Sequence, residues 1–346
     1  MTRFATVPQL LGIQRLAKGG EVNLSDIKRN RSMRTVHGLN IQLFALSIVF
    51  VLGMSTAFVF WGRDTVKITA AQTEPVSSVA GSVGQAEIDE WINQMNSPGG
   101  YSLNIAFGDI GPQLLAAGAI DLDLFKSIYE QAGKPLTKNQ IEILEGGSGN
   151  PVVINPENAY FLLNFFWALG LTNQNEVLTK GPMTQYGPDG VMQFASTGGW
   201  TLGNNSPAAL YASLPIISLT NDQQVRLELV AAGVYRPCCN NPTLFPDCNH
   251  GMAMLGILEL LASNDASINE MFEAAKYVNA FWFPEHTLKS ALFLRNAEDV
   301  DFDSIDPRQI TGPDFSSQIG SQQVQSWLIA NDLLPQSSGE RSGCGV

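Results

Sequence analysis

Residues 159–171 read Ala-Tyr-Phe-Leu-Leu-Asn-Phe-Phe-Trp-Ala-Leu-Gly-Leu, an apolar run without a charged side chain. A helix of this length rises about 20 Å, which is well short of the roughly 30 Å of a bilayer core. The run is therefore predicted to be the central buried helix of a folded body. Asn155-Pro-Glu-Asn directly precedes it, and Pro156 is predicted to lie in the first helical turn.

Further helices are predicted around this run from apolar periodicity and capping residues. Thr137 and Thr220 each begin a capping-box sequence, with glutamine three residues later. Strand signals are few, because strict alternation is rare and no Asn-Gly turn occurs. The expected fold class is mainly α, with an all-α, multi-helix globular domain over residues 86–335. Its predicted helices are 86–95, 122–131, 137–144, the run at 159–171, 220–233, 252–263, 268–282, 285–294 and 322–333.

A second apolar segment, Ile41–Trp61, has no ionisable side chain and has the length of a membrane-spanning helix. Basic residues precede it closely, so the positive-inside rule predicts a basic cytoplasmic tail over residues 1–38. We expect a single-pass signal anchor over residues 39–62, with the body outside the cytoplasm. The rival interpretation is a signal peptide cleaved near Ala70-Ala71, although about 40 residues precede the apolar segment, which is long for a signal peptide.

Composition and charge divide the chain into segments. Residues 63–85 are small and polar, which predicts a flexible linker, and residues 336–346 are expected to be a disordered tail. Residues 1–62 carry seven basic and two acidic side chains, whereas the remainder carries 13 basic and 30 acidic ones. Nucleic-acid binding is not expected, since phosphates need a basic protein face. The expected partners are the membrane, through one helix, and an envelope protein.

Three of the four cysteines and one of the three histidines fall within thirteen residues: Cys238, Cys239, Cys248 and His250. Thiolates and imidazole are ligands of zinc, copper and iron. In an extended segment residues 248 and 250 would point the same way, so both would reach one ion. An apolar helix follows, which predicts Cys248 at its N-terminus, where the helix dipole favours a thiolate. The spacing matches none of the regular zinc, haem or blue-copper patterns.

Three interpretations of these cysteines stay open. In the first, all four residues bind a metal ion, zinc first and copper second, in a structural or scaffold role. In the second, the cysteines form disulfides, as is common outside the cytoplasm, with Cys239 bonded to Cys248 and Cys238 to Cys344. In the third, one cysteine is a catalytic nucleophile.

Different functions follow from these interpretations. The leading hypothesis is a membrane-anchored extracytoplasmic metal-binding protein. The competing hypothesis is a disulfide-stapled cell-surface binding or scaffold module without a metal, with the glycine-rich segment Lys180–Asn205 as its contact surface. Trp200 in that segment either lines a groove or fills the core. A third hypothesis is a cell-envelope hydrolase, although no GxSxG-type turn occurs. Whether the protein is an enzyme is left open.

Overall fold

The computed structural model describes residues 85–334 of the 346-residue chain. The predicted cytoplasmic tail, signal anchor and C-terminal tail lie outside these residues, as does the predicted linker apart from residue 85. Among the residues that the structure describes, no helix combines the length and apolar character that a membrane span requires.

The described part of the chain is mainly helical, as the sequence predicts, because helices cover 60% of residues 88–334. In chain order the elements are α1 (Gln85–Met95), β1 (Tyr101–Gly108), α2 (Ile110–Ala116), α3 (Leu122–Gln131), α4 (Lys138–Gly146), β2 (Ser148–Ile154), α5 (Ala159–Thr172), α6 (Glu176–Thr179), a 3-10 turn (Pro182–Tyr186), α7 (Gly187–Val191), α8 (Pro207–Leu210), α9 (Asn221–Gly233), α10 (Asn249–Ser263), α11 (Ile268–Trp282), α12 (Pro284–Glu298), a 3-10 turn (Phe302–Ser304), α13 (Pro307–Ile310), α14 (Pro313–Ser316) and α15 (Gln318–Ala330).

Two apolar helices, α5 and α10, pack along each other at the centre of the larger hydrophobic core. Residues 161–172 of α5 and residues 251–262 of α10 are all buried. Glycines allow the two backbones to touch. A Cβ added at Gly170 would lie 2.1 Å from the carbonyl oxygen of Met252, and one added at Gly256 would lie 2.6 Å from that of Phe166. The predicted central buried helix is confirmed, and its partner is the helix that follows the cysteines.

The start of α5 differs from the prediction. The helix begins at Ala159 with Asn158 as its N-cap, so Pro156 lies in the preceding turn and not in the first helical turn. The side chain of Asn155 accepts hydrogen bonds from the backbone N–H groups of Glu157 and Asn158, both at 3.0 Å. This local side-chain turn holds the backbone before the helix, because asparagine competes with helical hydrogen bonding.

The capping residues in the sequence predicted other helix starts correctly. Thr137 and Thr220 both form complete capping boxes, with Gln140 and Gln223 respectively. The helices predicted at 122–131 and 268–282 have the predicted bounds. α10 begins at Asn249 and α15 at Gln318, each a few residues before its predicted start.

A small sheet corrects the all-α expectation. β1 and β2 pair antiparallel, with Tyr101 opposite Ile154 and Gly108 opposite Ser148, and α2, α3 and α4 connect them along the chain. Leu103, Ile105 and Phe107 alternate along β1 and are buried in the core that surrounds α5. The fold is therefore mainly α with a two-stranded sheet.

A smaller second core joins the two ends of the described chain. α1 contributes Ile88, Trp91 and Met95, which cluster with buried residues of α12 and α15 such as Leu292 and Leu328. This packing places the start of α15 beside the loop that carries the cysteines, as described below.

The glycine-rich segment Lys180–Asn205 contains short helical turns, including α7, and does not expose its tryptophan. Trp200 is only 2% exposed, and its Nε1 donates a hydrogen bond to the carbonyl oxygen of Ala119 at 2.8 Å. Its ring packs edge-on against Trp167, with 4.9 Å between ring centroids. Trp200 therefore fills the core and does not line a groove.

One carboxyl group lies inside the core. Glu259 of α10 is 0% exposed, and its Oε2 accepts a hydrogen bond from Asn173 Nδ2 at 3.0 Å. Its other oxygen has no hydrogen-bond partner among the described residues. Burial raises the pKa of Glu259 well above its usual range, against the smaller opposing effect of the Asn173 hydrogen bond. Burial therefore favours the neutral, protonated form of this side chain in the folded protein.

We predict that Gly170→Ala destabilises the protein by about 1–3 kcal/mol, since the added methyl group would overlap the α10 backbone and overpacked cores cost that much. Urea denaturation followed by circular dichroism measures the change. Gly146→Ala is the matched control, because an added Cβ there has no atom within 4 Å. Equal stability of the two variants would contradict the close crossing of α5 and α10.

Glu259→Gln is predicted to raise the free energy of unfolding by an amount that grows with pH. In the unfolded chain glutamate ionises near its ordinary pKa of 4.5, whereas the folded protein keeps Glu259 protonated to higher pH. The stabilising contribution of the neutral acid is complete below the unfolded pKa and is lost as pH rises through the folded pKa. Glutamine cannot ionise, so the free energy of unfolding of Glu259→Gln does not show this loss as pH rises.

Urea denaturation of both proteins from acidic to alkaline pH measures the difference. Glu142→Gln, at an exposed position, serves as the control and should leave the pH dependence of the free energy of unfolding unchanged. If the free energies of unfolding of Glu259→Gln and the natural protein differed by the same amount at every pH, burial would not raise the pKa of Glu259, which would contradict this prediction.

Candidate metal centre

Residues 234–248, here called the cysteine loop, connect α9 to α10 and carry Cys238, Cys239 and Cys248. The loop folds back on the end of α9. Thr243 donates its backbone N–H to the carbonyl oxygen of Val234 at 2.8 Å, and Leu244 donates to that of Ala231 at 2.9 Å. This reversal returns the chain so that Cys248 lies beside the two vicinal cysteines.

The start of α15 is hydrogen-bonded to the cysteine loop at Cys239 and Asn240. The carbonyl oxygen of Cys239 accepts a hydrogen bond from the backbone N–H of Gln318 at 2.9 Å. Asn240 Oδ1 accepts from the N–H of Ile319 at 2.9 Å, and Asn240 Nδ2 donates to Gln318 Oε1 at 3.2 Å. The vicinal cysteines are thus held by a distant part of the chain, which fixes their position relative to α10.

Three sulfur atoms meet at this point. The Sγ atoms of Cys238, Cys239 and Cys248 all lie within 4.8 Å of one another. Cys248 Sγ is 3.3 Å from Cys238 Sγ and 3.8 Å from Cys239 Sγ. These distances exceed the roughly 2.05 Å of a disulfide bond, so the three residues are not joined by disulfides. The predicted Cys239–Cys248 disulfide is therefore not formed here, and Cys344 lies outside the described residues.

Cys248 is the N-cap of α10, which confirms its predicted position at the helix start. Its Sγ accepts a hydrogen bond from the backbone N–H of Gly251 at 3.3 Å. The first amide groups of a helix have no partner within the helix and form the positive end of its dipole. The N-terminus of the buried helix α10 therefore stabilises a negative sulfur at Cys248.

A buried arginine also donates to this sulfur. Arg236 is 1% exposed, and its Nε donates to Cys248 Sγ at 3.1 Å. Its Nη2 donates to Asp247 Oδ1 at 3.0 Å and to the carbonyl oxygen of Phe245 at 3.3 Å, whereas its Nη1 has no partner among the described residues. A buried guanidinium needs nearby negative charge, because isolated charges are costly to remove from water. Asp247 and a Cys248 thiolate supply that charge.

Glycine at position 251 makes room for the guanidinium. A Cβ at Gly251 would lie 2.4 Å from Nη2 of Arg236. Sequence reasoning missed Arg236, although it directly precedes Pro237 and the two cysteines. The available signal was an arginine beside a cluster of thiols in an acidic domain, and arginine is the cation best suited to buried pairing.

The three thiols have unequal acidities. Hydrogen bonds from the Cys238 and Cys239 thiols lower the pKa of Cys248 well below its usual range, and the positive charge of Arg236 acts in the same direction against burial. Hydrogen bonds to Cys239 and Cys248, together with burial, raise the pKa of Cys238. Of the three thiols, Cys248 is therefore the one whose surroundings most favour the thiolate.

His250, the fourth predicted ligand, lies outside the group of three sulfurs. Its ring lies near those of Phe283 and Trp282, with centroid distances of 4.5 and 5.7 Å, and its Nδ1 is 2.9 Å from Asn249 Oδ1. Burial lowers the pKa of His250 to about 4, so the imidazole is neutral at neutral pH. The structure thus brings together three of the four predicted ligands.

The sulfur group fits a metal ion. Zinc–thiolate bonds of about 2.3 Å in tetrahedral geometry place two sulfurs about 3.8 Å apart. Cys239 and Cys248 already have a separation of 3.8 Å, and Cys238 and Cys248, at 3.3 Å, need to part by about half an ångström. The three cysteines can therefore hold a metal ion after a small side-chain adjustment.

No protein-family model, no curated protein and no solved structure matches this chain. The function is therefore inferred from the chemistry of the sulfur group and from the sequence.

We predict that Arg236→Met raises the pKa of the Cys248 thiol in metal-free protein, because the variant keeps a long side chain but removes the charge and the Nε donor. The ultraviolet absorbance of thiolate, followed against pH, should begin at higher pH than in the natural protein. Arg308→Met is the control, since Arg308 is exposed and contacts Asn269 and Phe272. An unchanged titration in Arg236→Met would contradict the assigned guanidinium–thiolate contact.

Proposed function

We propose that this protein is a membrane-anchored, extracytoplasmic metal-binding protein whose Cys238, Cys239 and Cys248 bind one zinc ion in a structural or scaffold role. The observation that carries the proposal is the convergence of three sulfur atoms within 4.8 Å, from two ends of one loop. Thiolates are the ligands that zinc and copper take from cysteine, and three of them occupy most of a zinc shell.

The charge of the surroundings favours zinc over copper. Arg236 and Asp247 form a buried ion pair and so contribute no net charge. Three thiolates around a divalent zinc ion carry one net negative charge, whereas three around monovalent copper carry two. Burying more unbalanced charge costs more free energy, because the interior solvates it poorly. Zinc is therefore the first choice for this site and copper the second.

A fourth ligand completes the zinc shell. A neutral imidazole is the form that binds a metal, and His250 is neutral and lies two residues from Cys248. A rotation of its side chain toward the sulfurs would close the shell, as in structural zinc sites, whereas a water molecule in its place would leave the site open. We assign the closing role to His250, which accords with a structural ion.

A bound ion would link the two ends of the cysteine loop. The Cys239 end is hydrogen-bonded to the start of α15, and Cys248 is the N-cap of α10. An ion on all three sulfurs would hold these two ends together, and structural zinc contributes directly to folding free energy. This arrangement supports a scaffold role.

The location of the protein is the second part of the proposal. The apolar segment Ile41–Trp61 and the basic residues before it support a signal anchor with the body outside the cytoplasm. The acidic body suits neither nucleic acid nor an anionic membrane surface. A protein of the cell envelope is the partner class that this location implies.

We predict that the protein purified without chelator contains about one equivalent of zinc, measured by elemental analysis of the same sample used for a thiol count. Cys238→Ser, Cys239→Ser and Cys248→Ser should each lose the metal, because each removes a thiolate ligand. Cys344→Ser is the matched control, as it removes the fourth cysteine and should retain full metal content.

His250→Ala distinguishes the two coordination shells. If His250 closes the shell, this variant binds zinc more weakly in a competition titration with a chromophoric chelator. Equal affinity would assign the fourth position to water. A protein that takes up no zinc or copper when its thiols are reduced would contradict the metal-binding function.

The full-length chain is predicted to stay in the membrane fraction after washing with alkaline carbonate, and a variant lacking residues 41–61 to move to the soluble fraction. The physical reason is the loss of the uncharged, mainly apolar segment whose length matches the bilayer core. Immunoblotting of the fractions measures the distribution. Recovery of the intact natural protein in the carbonate supernatant would contradict the anchor.

A further inference from the structure

Two sulfurs of the cluster, those of Cys238 and Cys248, lie close enough to react with each other without a metal. Cys238 Sγ and Cys248 Sγ are 3.3 Å apart, and they are ten residues apart in the chain. A disulfide needs an approach to about 2.05 Å, which is a movement of little more than an ångström. Cys239 Sγ is farther from Cys248, at 3.8 Å.

Cys248 differs from an ordinary buried thiol because its sulfur accepts hydrogen bonds from two groups of the protein. Two fixed donors point at its sulfur, the Nε of Arg236 at 3.1 Å and the backbone N–H of Gly251 at 3.3 Å. Donors of this kind stabilise a thiolate, which is the attacking form in thiol–disulfide exchange. They also stabilise the same sulfur when it leaves, so a disulfide that contains Cys248 is readily reduced.

A bond between the vicinal Cys238 and Cys239 is a poorer alternative. Adjacent cysteines close a small ring that includes the intervening peptide, and this distorts the geometry that disulfides prefer. The hydrogen bond from Gln318 to the Cys239 carbonyl also holds the backbone at this point. The geometry therefore favours Cys248 with Cys238 as the reacting pair and leaves Cys239 outside it.

We propose that Cys238 and Cys248 form a dithiol–disulfide redox pair that undergoes reversible exchange with low-molecular-weight organic thiols and disulfides. This activity goes beyond metal binding and belongs to the metal-free protein. It uses two of the three sulfurs, so oxidation of the pair removes two of the three thiolate ligands. Metal binding and oxidation are then mutually exclusive states of one site.

The reaction proceeds in two exchange steps. The Cys248 thiolate attacks one sulfur of the organic disulfide, forms a mixed disulfide and releases the first organic thiolate. Cys238 then attacks Cys248 Sγ, the Cys238–Cys248 bond forms, and the second organic sulfur leaves. The proton of the Cys238 thiol passes to one of the two organic sulfurs. Two electrons therefore move from the cysteine pair to the organic disulfide, which becomes one organic thiol and one organic thiolate, and the reverse steps reduce the Cys238–Cys248 bond.

The test uses the full-length protein in detergent, stripped of metal by a chelator, with Cys344→Ser in every sample so that the remaining cysteine outside the cluster cannot react. Each sample is equilibrated with defined ratios of reduced to oxidised glutathione and quenched with acid. Peptide mass spectrometry then identifies the bonded cysteines. Cys238→Ser, Cys239→Ser and Cys248→Ser are compared with the unmodified cluster.

The expected product is a Cys238–Cys248 disulfide, both with the intact cluster and in Cys239→Ser. Cys238→Ser should lose this bond and stop at glutathione attached to Cys248, whereas Cys248→Ser should lose the exchange. A dominant Cys238–Cys239 or Cys239–Cys248 bond would overturn the proposal, and so would failure of Cys239→Ser to oxidise. Because Cys239→Ser removes a metal ligand but keeps the redox pair, its result separates this proposal from the metal-binding function.

Discussion

The close contact between α5 and α10 at Gly170 and Gly256 sets the position of the core and of the cysteine loop beside it. Both helices are apolar on nearly every face, so each needs a partner on several sides, and direct backbone contact lets them share the centre of the core. Because α10 is held there along its length, its first turn occupies a fixed position at the edge of the core. Cys248 caps that turn, so the packing of the core places the sulfur.

The chemistry of the site follows from one buried cation. Arg236 is almost fully enclosed, which requires negative partners close to its guanidinium, and Asp247 and Cys248 are the groups in place. The same contact keeps Cys248 ready to bind a metal or to exchange a disulfide, because both reactions use the thiolate. Cys238 and Cys239 are then brought to Cys248 by the fold of the loop and by the start of α15.

Sequence patterns predicted the helices well where a local physical signal was strong. The apolar run at 159–171 and the capping boxes at Thr137 and Thr220 depend only on neighbouring residues, and all three form as expected. β1 was missed although Leu103, Ile105 and Phe107 alternate. Asn104 between them has a positive φ of 55°, and the partner strand β2 lies about forty residues away, so no short-range turn signal marks the pair.

The candidate site was predictable in part for the same reason. The density of cysteines is visible in the sequence, and the position of Cys248 follows from the apolar helix after it. The expectation that Cys248 and His250 point the same way assumed an extended segment. α10 begins at Asn249, so His250 lies in its first turn, and its ring packs against Phe283 and Trp282 instead of beside the sulfurs. Arg236 was missed because its position beside the cysteines does not show by itself that the side chain is buried.

X-ray absorption spectroscopy at the metal edge of the zinc-loaded protein counts the sulfur atoms bound to the ion. We expect three sulfur ligands at about 2.3 Å and one nitrogen or oxygen ligand near 2.0–2.1 Å. A zinc ion with only nitrogen and oxygen neighbours, or with a single sulfur, would contradict a site built from Cys238, Cys239 and Cys248.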